Sequence, residues 1–216
     1  MKTDSQKRIF FILQIIITIL EIIGFIIAIG KNGISIMGYY TQDSNLVMLI
    51  AAACYSIYTL FHRDGKTPKW IMVLMYVATC MVTVTFVTVV LVLVPMYVPY
   101  GGVNAVLWLL IGGSNLFHHL LAPVIAMTAF LFFEHNFRPD VKTALLAASP
   151  TLLYACISTA LNAAKVVRGP YPFLYVYEQP LWVSVAWFIA IPGGAFLFAL
   201  LFGVIKRKTL GKAHKL

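Results

Sequence analysis

Two short segments of the chain carry side chains that together could break an ester bond. The first, Thr41-Gln42-Asp43-Ser44-Asn45, places hydroxyl, amide and carboxylate groups in five consecutive positions. The second contains Asn115, His118 and His119. A threonine hydroxyl becomes a competent nucleophile when a neutral imidazole within hydrogen-bond reach accepts its proton, and amides can stabilise the oxyanion that then forms. The two segments therefore contain the groups that acyl transfer on a lipid ester needs, although their spacing alone does not single out this reaction.

Each segment also has a purely structural explanation. Thr41 or Asp43 would cap a helix that begins at this point, although one cap does not need five polar residues. A buried histidine can simply hydrogen-bond a neighbouring helix, and two adjacent rings point about 100° apart, so that only one of them faces a given site. Thr41, Ser44 and Asn45 share one helical face. Asn115 shares a face with either histidine, and we therefore expect a polar pocket rather than isolated caps.

A third group of polar side chains recurs at helical spacing later in the chain. It consists of Thr151, Tyr154, Ser158, Asn162 and Lys165. Serine and threonine hydroxyls can bond their own helix backbone, which makes the stripe moderate evidence of a cavity. The amides of Asn45, Asn115 and Asn162 are the candidates for stabilising an oxyanion or orienting the base.

These side chains lie in a chain whose composition suits a lipid environment. Hydrophobic residues fill 61% of the 216 positions, charged residues fill 11%, and the mean hydropathy is +0.91. A water-soluble domain has roughly a quarter charged residues, so the composition excludes a soluble globular protein; disorder is excluded by the same numbers. Six apolar stretches reach the about 20 residues that a helix needs to cross a bilayer: 10–30, 40–61, 70–95, 105–133, 143–164 and 181–205.

The sequence thus predicts an all-α, polytopic membrane protein with six transmembrane helices that form one domain over residues 1–216. Three of the 16 Lys and Arg residues, Lys31, Lys165 and Arg168, fall in the odd-numbered loops, and the other 13 fall in the tails and even-numbered loops. This bias predicts that both termini are cytoplasmic. The protein would be an integral, multi-pass component of the plasma membrane, which is the inner membrane in a bacterium. The basic C-terminal tail is expected to contact anionic lipid rather than nucleic acid.

Other functions could use the same ionisable residues. Haem held by two histidines needs them on two helices, whereas both histidines here lie in one span. A zinc site formed by the histidine pair with Asp43 and Glu21 remains open. A small transporter could use Glu21, Asp43 and His118 as a proton relay, although no inverted repeat is visible. A protein that binds lipid without cleaving it is a further alternative.

Three segments taken together resemble a known family. They are Thr41-Gln42-Asp43-Ser44-Asn45-Leu46, then Asn115-Leu116-Phe117-His118-His119 with Pro123, and then Tyr171-Pro172-Phe173-Leu174 in the loop before the last span. In this order they resemble the androgen-induced family of small multi-helix membrane hydrolases, which includes the androgen-dependent regulator of tissue factor pathway inhibitor, and the bacterial membrane proteins related to it. The Tyr-Pro-Phe-Leu run is the most specific of the three.

The resemblance implies a threonine hydrolase that cleaves fatty acid esters of hydroxy fatty acids or similar acyl lipids. It assigns the nucleophile to Thr41, and the family's histidine, which lies five residues before a proline, to His118 as general base. Ser44 stands where the family commonly has Asp or Asn. The supporting or substrate-binding residues are then Ser44, Asn45, Asn115, His119 and Asn162. The expected partners are membrane lipids and the acyl-lipid substrate, and neither a metal ion nor another cofactor is required.

The predicted spans place the two catalytic candidates at different depths. A continuous helix over 105–133 puts His118 roughly 15–20 Å below its outer start, at about 1.5 Å per residue. Thr41, at the start of the second span, is expected to be shallower. A fourth helix that begins nearer Leu109, or a re-entrant start of the second helix, would bring them together.

Overall fold

The computed structural model describes residues 2–62 and 66–213, and its helices confirm the predicted all-α fold with six candidate membrane spans. These residues form helices and no strands. Six helices are long and apolar enough to cross a membrane, so the chain is an integral, multi-pass membrane protein. The helices are α1 (Lys2–Asn32), α2 (Tyr40–Phe61), α3 (Lys69–Thr88), α4 (Val94–Ile111), α5 (Leu116–Phe133), α6 (Val141–Ala163) and α7 (Leu181–Ala213).

The third and fourth predicted spans differ from the helices that the chain forms. A wider, π-helical turn at Val89–Leu93 joins α3 to α4, so that helical structure runs on to Ile111. Gly102 interrupts α4 with φ 54° and ψ −140°, values that suit glycine because it has no Cβ. The chain therefore changes direction near residue 102, and what the apolar pattern predicts as one helix over 105–133 is divided between α4 and α5.

Two adjacent glycines make the break between α4 and α5. Gly112 has an extended ψ of 107° and Gly113 has φ 60°, so neither continues the helix. The chain resumes a helical path at Leu116 with a π-helical turn, Leu116–Leu121, that contains both histidines. π-Helical turns inside helices are frequent at functional sites. Because the break lies so late, His118 and His119 come in the first turn of α5 rather than deep in a long helix.

The helices pack through a core that is continuous between α1, α2, α3, α5, α6 and α7. Met48, Met75, Tyr76 and Phe130 are almost fully buried there, and small residues such as Ala51 allow the helices to approach closely. Large apolar side chains on the outside, among them Ile26, Leu91 and Leu197, remain exposed. In a bilayer these side chains face lipid, which explains why the surface is as apolar as the core.

A buried ion pair closes the face of the bundle that carries the two termini. The Lys206 ammonium lies 2.7 Å from Glu134 Oε2 and donates to the backbone carbonyls of Phe130 and Glu134. Glu134 Oε1 accepts the backbone N–H groups of Asn136 and Phe137. The pair thus fastens the loop between α5 and α6 to α7. Arg63, Lys215 and His214 lie outside the described residues.

Candidate active site

Thr41 lies at the start of α2, where its main chain is held on both sides. Tyr39 is the residue that precedes the helix, and no side chain caps it, so Thr41 and Asp43 are not the caps considered above. The Thr41 N–H donates to the Tyr171 hydroxyl at 3.2 Å. Its carbonyl accepts from Ser44 Oγ at 2.9 Å and from Asn45 Nδ2 at 2.7 Å. These bonds fix the Thr41 backbone and leave its hydroxyl free for another partner.

The Thr41 hydroxyl lies between an imidazole and a phenol. Its Oγ1 is 3.4 Å from His119 Nε2 and 3.4 Å from the Tyr171 hydroxyl. Both contacts are longer than the about 2.6–3.2 Å of a general-base hydrogen bond, as is common before a substrate is bound. Three elements that are distant in sequence thus meet at one oxygen atom.

His119 is held in the tautomer that a general base requires. Its Nδ1 lies 2.6 Å from the Leu109 carbonyl, which can only accept, so Nδ1 carries the proton and Nε2 presents its lone pair to Thr41. The Leu109 carbonyl is available because α4 stops at Ile111, before a helical N–H could reach it. The glycine break therefore supplies the group that orients the imidazole.

His118, which the resemblance suggests as the base, points elsewhere. Its Nε2 lies 3.4 Å from Glu21 Oε2, and both side chains are fully buried. The ring packs over Gly24, where a Cβ would come within 2.3 Å of Nε2, and against the Phe25 ring. The assignment of the base to His118 does not fit this geometry, because adjacent residues of a helix point in different directions.

The polar residues around Thr41 support the backbone rather than the reacting atoms. Ser44 Oγ bridges the Thr41 carbonyl to Thr85 Oγ1, 2.8 Å away. Asn45 Nδ2 bridges the same carbonyl to the His118 carbonyl at 3.3 Å, which ties α2 to α5. Both side chains are completely buried, so they define how the two helices meet.

Asn115 and Asn162 do not contact the Thr41 hydroxyl. Asn115 Nδ2 donates to the Trp108 carbonyl and satisfies the end of α4, although the residue also lines the cavity beside Thr41. Asn162 donates to the Val167 carbonyl and accepts the Val176 N–H, so it anchors the loop between α6 and α7. Asn162 is therefore a structural residue here and not part of the predicted pocket.

Tyr171 is the residue of the site that the candidate set omits. It lies outside the spans, in the Tyr-Pro-Phe-Leu run, and its ring stacks on Phe173 with centroids 5.1 Å apart. Burial raises the pKa of Tyr171 to about 12, so the phenol keeps its proton at neutral pH. The sequence motif could have pointed to Tyr171, because two aromatic residues in a short loop outside the membrane spans have no role in crossing lipid.

Two cavities meet at Thr41 and Tyr171. One has a mainly apolar lining that includes Val89, Phe173 and Trp187; we call it the apolar cavity. The other has a mixed lining whose polar residues include Gln42, Asn115 and His119; we call it the polar cavity. A molecule with an apolar part and a polar part could occupy both and place the bond between them at the Thr41 hydroxyl.

The described part of the chain contains no group of three or more His, Cys, Asp or Glu side chains that could hold a metal ion. The zinc site left open by the sequence thus has no ligand set here. Comparisons with protein families, with curated proteins and with solved structures found no match for the chain. The functional argument therefore depends on the geometry of Thr41, His119 and Tyr171.

Proposed function

We propose that the protein is an intramembrane carboxylic ester hydrolase that acts on acyl lipids, with Thr41 as nucleophile and His119 as general base. The observation that carries this proposal is the line of hydrogen-bonding atoms from the Leu109 carbonyl through the two nitrogens of His119 to Thr41 Oγ1. It leaves Nε2 unprotonated and directed at a hydroxyl, which is the arrangement that activates an alcohol.

The first half of the reaction transfers the acyl group to the enzyme. His119 Nε2 takes the proton of the Thr41 hydroxyl as Oγ1 bonds to the ester carbonyl carbon. The Tyr171 hydroxyl accepts the Thr41 N–H and has its own proton free to donate to the oxyanion. The tetrahedral species collapses as the bond to the alcohol oxygen breaks and the His119 imidazolium returns its proton to that oxygen. The products are an acyl-threonine and a free alcohol.

The second half regenerates the enzyme. A water molecule gives a proton to His119 Nε2 as its oxygen attacks the acyl carbon, and the Thr41 ester bond then breaks. The imidazolium protonates Thr41 Oγ1, and the fatty acid leaves. In this scheme the apolar cavity holds the acyl chain and the polar cavity holds the alcohol and the attacking water.

The family resemblance and the topology extend the proposal. Thr41 lies on the face of the bundle opposite the termini, so cytoplasmic termini would place the site in the outer half of the plasma membrane. The substrate would enter sideways from the bilayer. The resemblance to the androgen-induced hydrolase family agrees with a threonine nucleophile, and fatty acid esters of hydroxy fatty acids are one substrate class to test.

The direct test uses the purified protein in lipid nanodiscs with oleoyl esters as substrates. Thr41→Ala is expected to lower kcat by at least about 100-fold, whereas Thr41→Ser retains a hydroxyl and measurable activity. Thr59→Ala, at the other end of α2, is the matched control and keeps the wild-type rate. Mass spectrometry after a rapid quench should find the oleoyl group on the peptide that contains Thr41. Wild-type activity in Thr41→Ala would refute the proposal.

A proton-coupled carrier is the second candidate, and one observation favours it. The Glu21 carboxylate is fully buried beside His118 within the membrane-spanning part of α1. Ionisable groups in such positions often belong to proton relays. Glu21→Gln separates the two functions, because a carrier would lose its ion coupling while a hydrolase retains most of its ester cleavage.

A further inference from the structure

The lining of the two cavities limits which alcohols the substrate can contain. Neither cavity is lined by a Lys, Arg, Asp or Glu residue within the described part of the chain. A carboxylate or phosphate placed there would lose its hydration without gaining a cation, which is strongly unfavourable. The lining therefore discriminates against esters whose alcohol carries a negative charge close to the ester bond.

Two charged residues are adjacent in sequence to lining residues without lining either cavity. Asp43, in the first turn of α2, follows Gln42 and is half-buried. Lys31 is adjacent in sequence to Asn32, which lines the polar cavity, but it does not line the cavity itself.

One side chain of the polar cavity has an unused hydrogen-bonding atom. Gln42 lines the cavity and is only 8% exposed, yet its Oε1 has no hydrogen-bond partner. A buried amide oxygen without a partner is unfavourable by about 1–3 kcal/mol and is rare in native proteins. An amide oxygen can only accept, so the missing partner must be a donor, either water or a hydroxyl group of a bound molecule; a carboxylate cannot supply one.

We infer that the polar cavity binds a neutral, hydroxyl-bearing alcohol, such as the glycerol unit of a partial glyceride or a sugar, and that Gln42 accepts a hydrogen bond from it. This inference rests on the proposed ester hydrolysis for its catalytic consequence. Among the acyl lipids of the proposed function, it favours esters of uncharged polyols over fatty acid esters of hydroxy fatty acids, whose alcohol part carries a carboxylate. It also makes Gln42 the residue that distinguishes them.

The kinetic test compares four oleoyl esters that differ only in the alcohol: glycerol, methanol, glycolate and glycerol phosphate. Wild-type kcat/KM is expected to be at least about tenfold higher for the glycerol ester than for the two anionic esters. Gln42→Met should lower kcat/KM for the glycerol ester by about tenfold, because the glycerol hydroxyl loses its acceptor. The methyl ester has no free hydroxyl on its alcohol part, so its kcat/KM should stay nearly unchanged. Gln6→Met, near the N-terminus of α1, is the matched control and should change neither.

A second variant keeps the test decisive if Gln42→Met folds poorly. Gln42→Lys introduces a cation into the cavity and is expected to raise the ratio of kcat/KM for the anionic esters to that for the glycerol ester. Equal or faster cleavage of anionic esters by the wild type would overturn the inference. An equal loss on the methyl and glycerol esters in Gln42→Met would also overturn it.

A binding experiment separates this inference from the proposed catalysis. Thr41→Ala protein is titrated with 1-O-oleyl glycerol, an ether that cannot be hydrolysed, and with oleyl phosphate, while the fluorescence of Trp108, which lines the polar cavity, is recorded. The variant Trp108→Phe shows which part of the fluorescence change comes from Trp108. Tighter binding of the glycerol ether, weakened by Gln42→Met, supports the inference even if no ester is cleaved; tighter binding of the phosphate contradicts it.

Discussion

The choice between the two adjacent histidines gives the sharpest prediction. His119→Gln removes the ring nitrogen that lies 3.4 Å from Thr41 Oγ1, together with the ring's bond to the Leu109 carbonyl. Glutamine cannot take up the proton, so kcat is expected to fall by about 10²–10⁴-fold, the usual contribution of a general base. KM should change little, because the ring contacts the nucleophile rather than the acyl chain.

His118→Gln is expected to affect folding instead of catalysis. The His118 ring faces Glu21 at 3.4 Å and fills the space over Gly24, so its loss disturbs a buried polar pair. We expect the free energy of unfolding to fall by about 1–3 kcal/mol, while kcat of the folded protein stays close to wild type. His62→Gln, at the opposite end of the bundle, is the control for loss of an imidazole.

The assay combines two measurements on each variant. Initial rates of oleoyl ester hydrolysis in nanodiscs give kcat, and thermal unfolding followed by far-ultraviolet circular dichroism gives Tm. The reasoning is refuted if folded His118→Gln loses as much activity as His119→Gln. It is equally refuted if His119→Gln retains its rate, because the line of bonds through Leu109 would then have no catalytic role.

Three further predictions follow from single contacts. Tyr171→Phe keeps the ring but removes the hydroxyl near Thr41, and kcat should fall by about 10²-fold with little change in KM, as measured by steady-state kinetics. Glu134→Gln leaves the buried Lys206 ammonium without its counter-ion, and thermal or chemical unfolding should show a loss of about 3–5 kcal/mol that is partly recovered when Lys206→Met is added. Asp140 accepts the Thr143 N–H, and this bond lowers the pKa of its carboxyl, so Asp140→Ala should lower Tm at neutral pH.

The Asp140 prediction has a definite sign with pH. A carboxyl whose pKa is lower in the folded state stabilises the protein above its unfolded pKa, and this stabilisation is lost as the pH falls through the folded pKa. The Tm difference between wild type and Asp140→Ala should therefore shrink in acid. A Tm difference that grew in acid would contradict the capping bond. An undiminished rate in Tyr171→Phe would contradict the catalytic role of the Tyr171 hydroxyl, and an unchanged stability in Glu134→Gln would contradict the contribution of the ion pair with Lys206.

The apolar pattern contains enough information to predict the membrane architecture. A helix that crosses lipid must form its backbone hydrogen bonds internally and present apolar side chains over about 20 residues. Each apolar stretch meets this requirement by itself, so it can be recognised from the local sequence. The same local requirement makes polar residues conspicuous, which is why Thr41, Glu21 and the histidine pair could be singled out. The distribution of Lys and Arg residues predicts that both termini are cytoplasmic, and the helices alone do not test this prediction.

The arrangement of the site required the tertiary structure. Gly112 and Gly113 permit either close helix packing or a local opening, and the equally apolar stretches on both sides do not say which. The continuous helix over 105–133 therefore placed the histidines too deep, whereas the alternative of a later helix start agrees with the structure. Which imidazole meets Thr41 depends on the rotation of α5 against α1 and α2, a global property of packing. Tyr171 reaches Thr41 across 130 positions of the chain. The sequence by itself determined which side chains are too polar for lipid, whereas only the packing of the helices decided which of them share one oxygen atom, because that meeting depends on contacts between segments far apart in the chain.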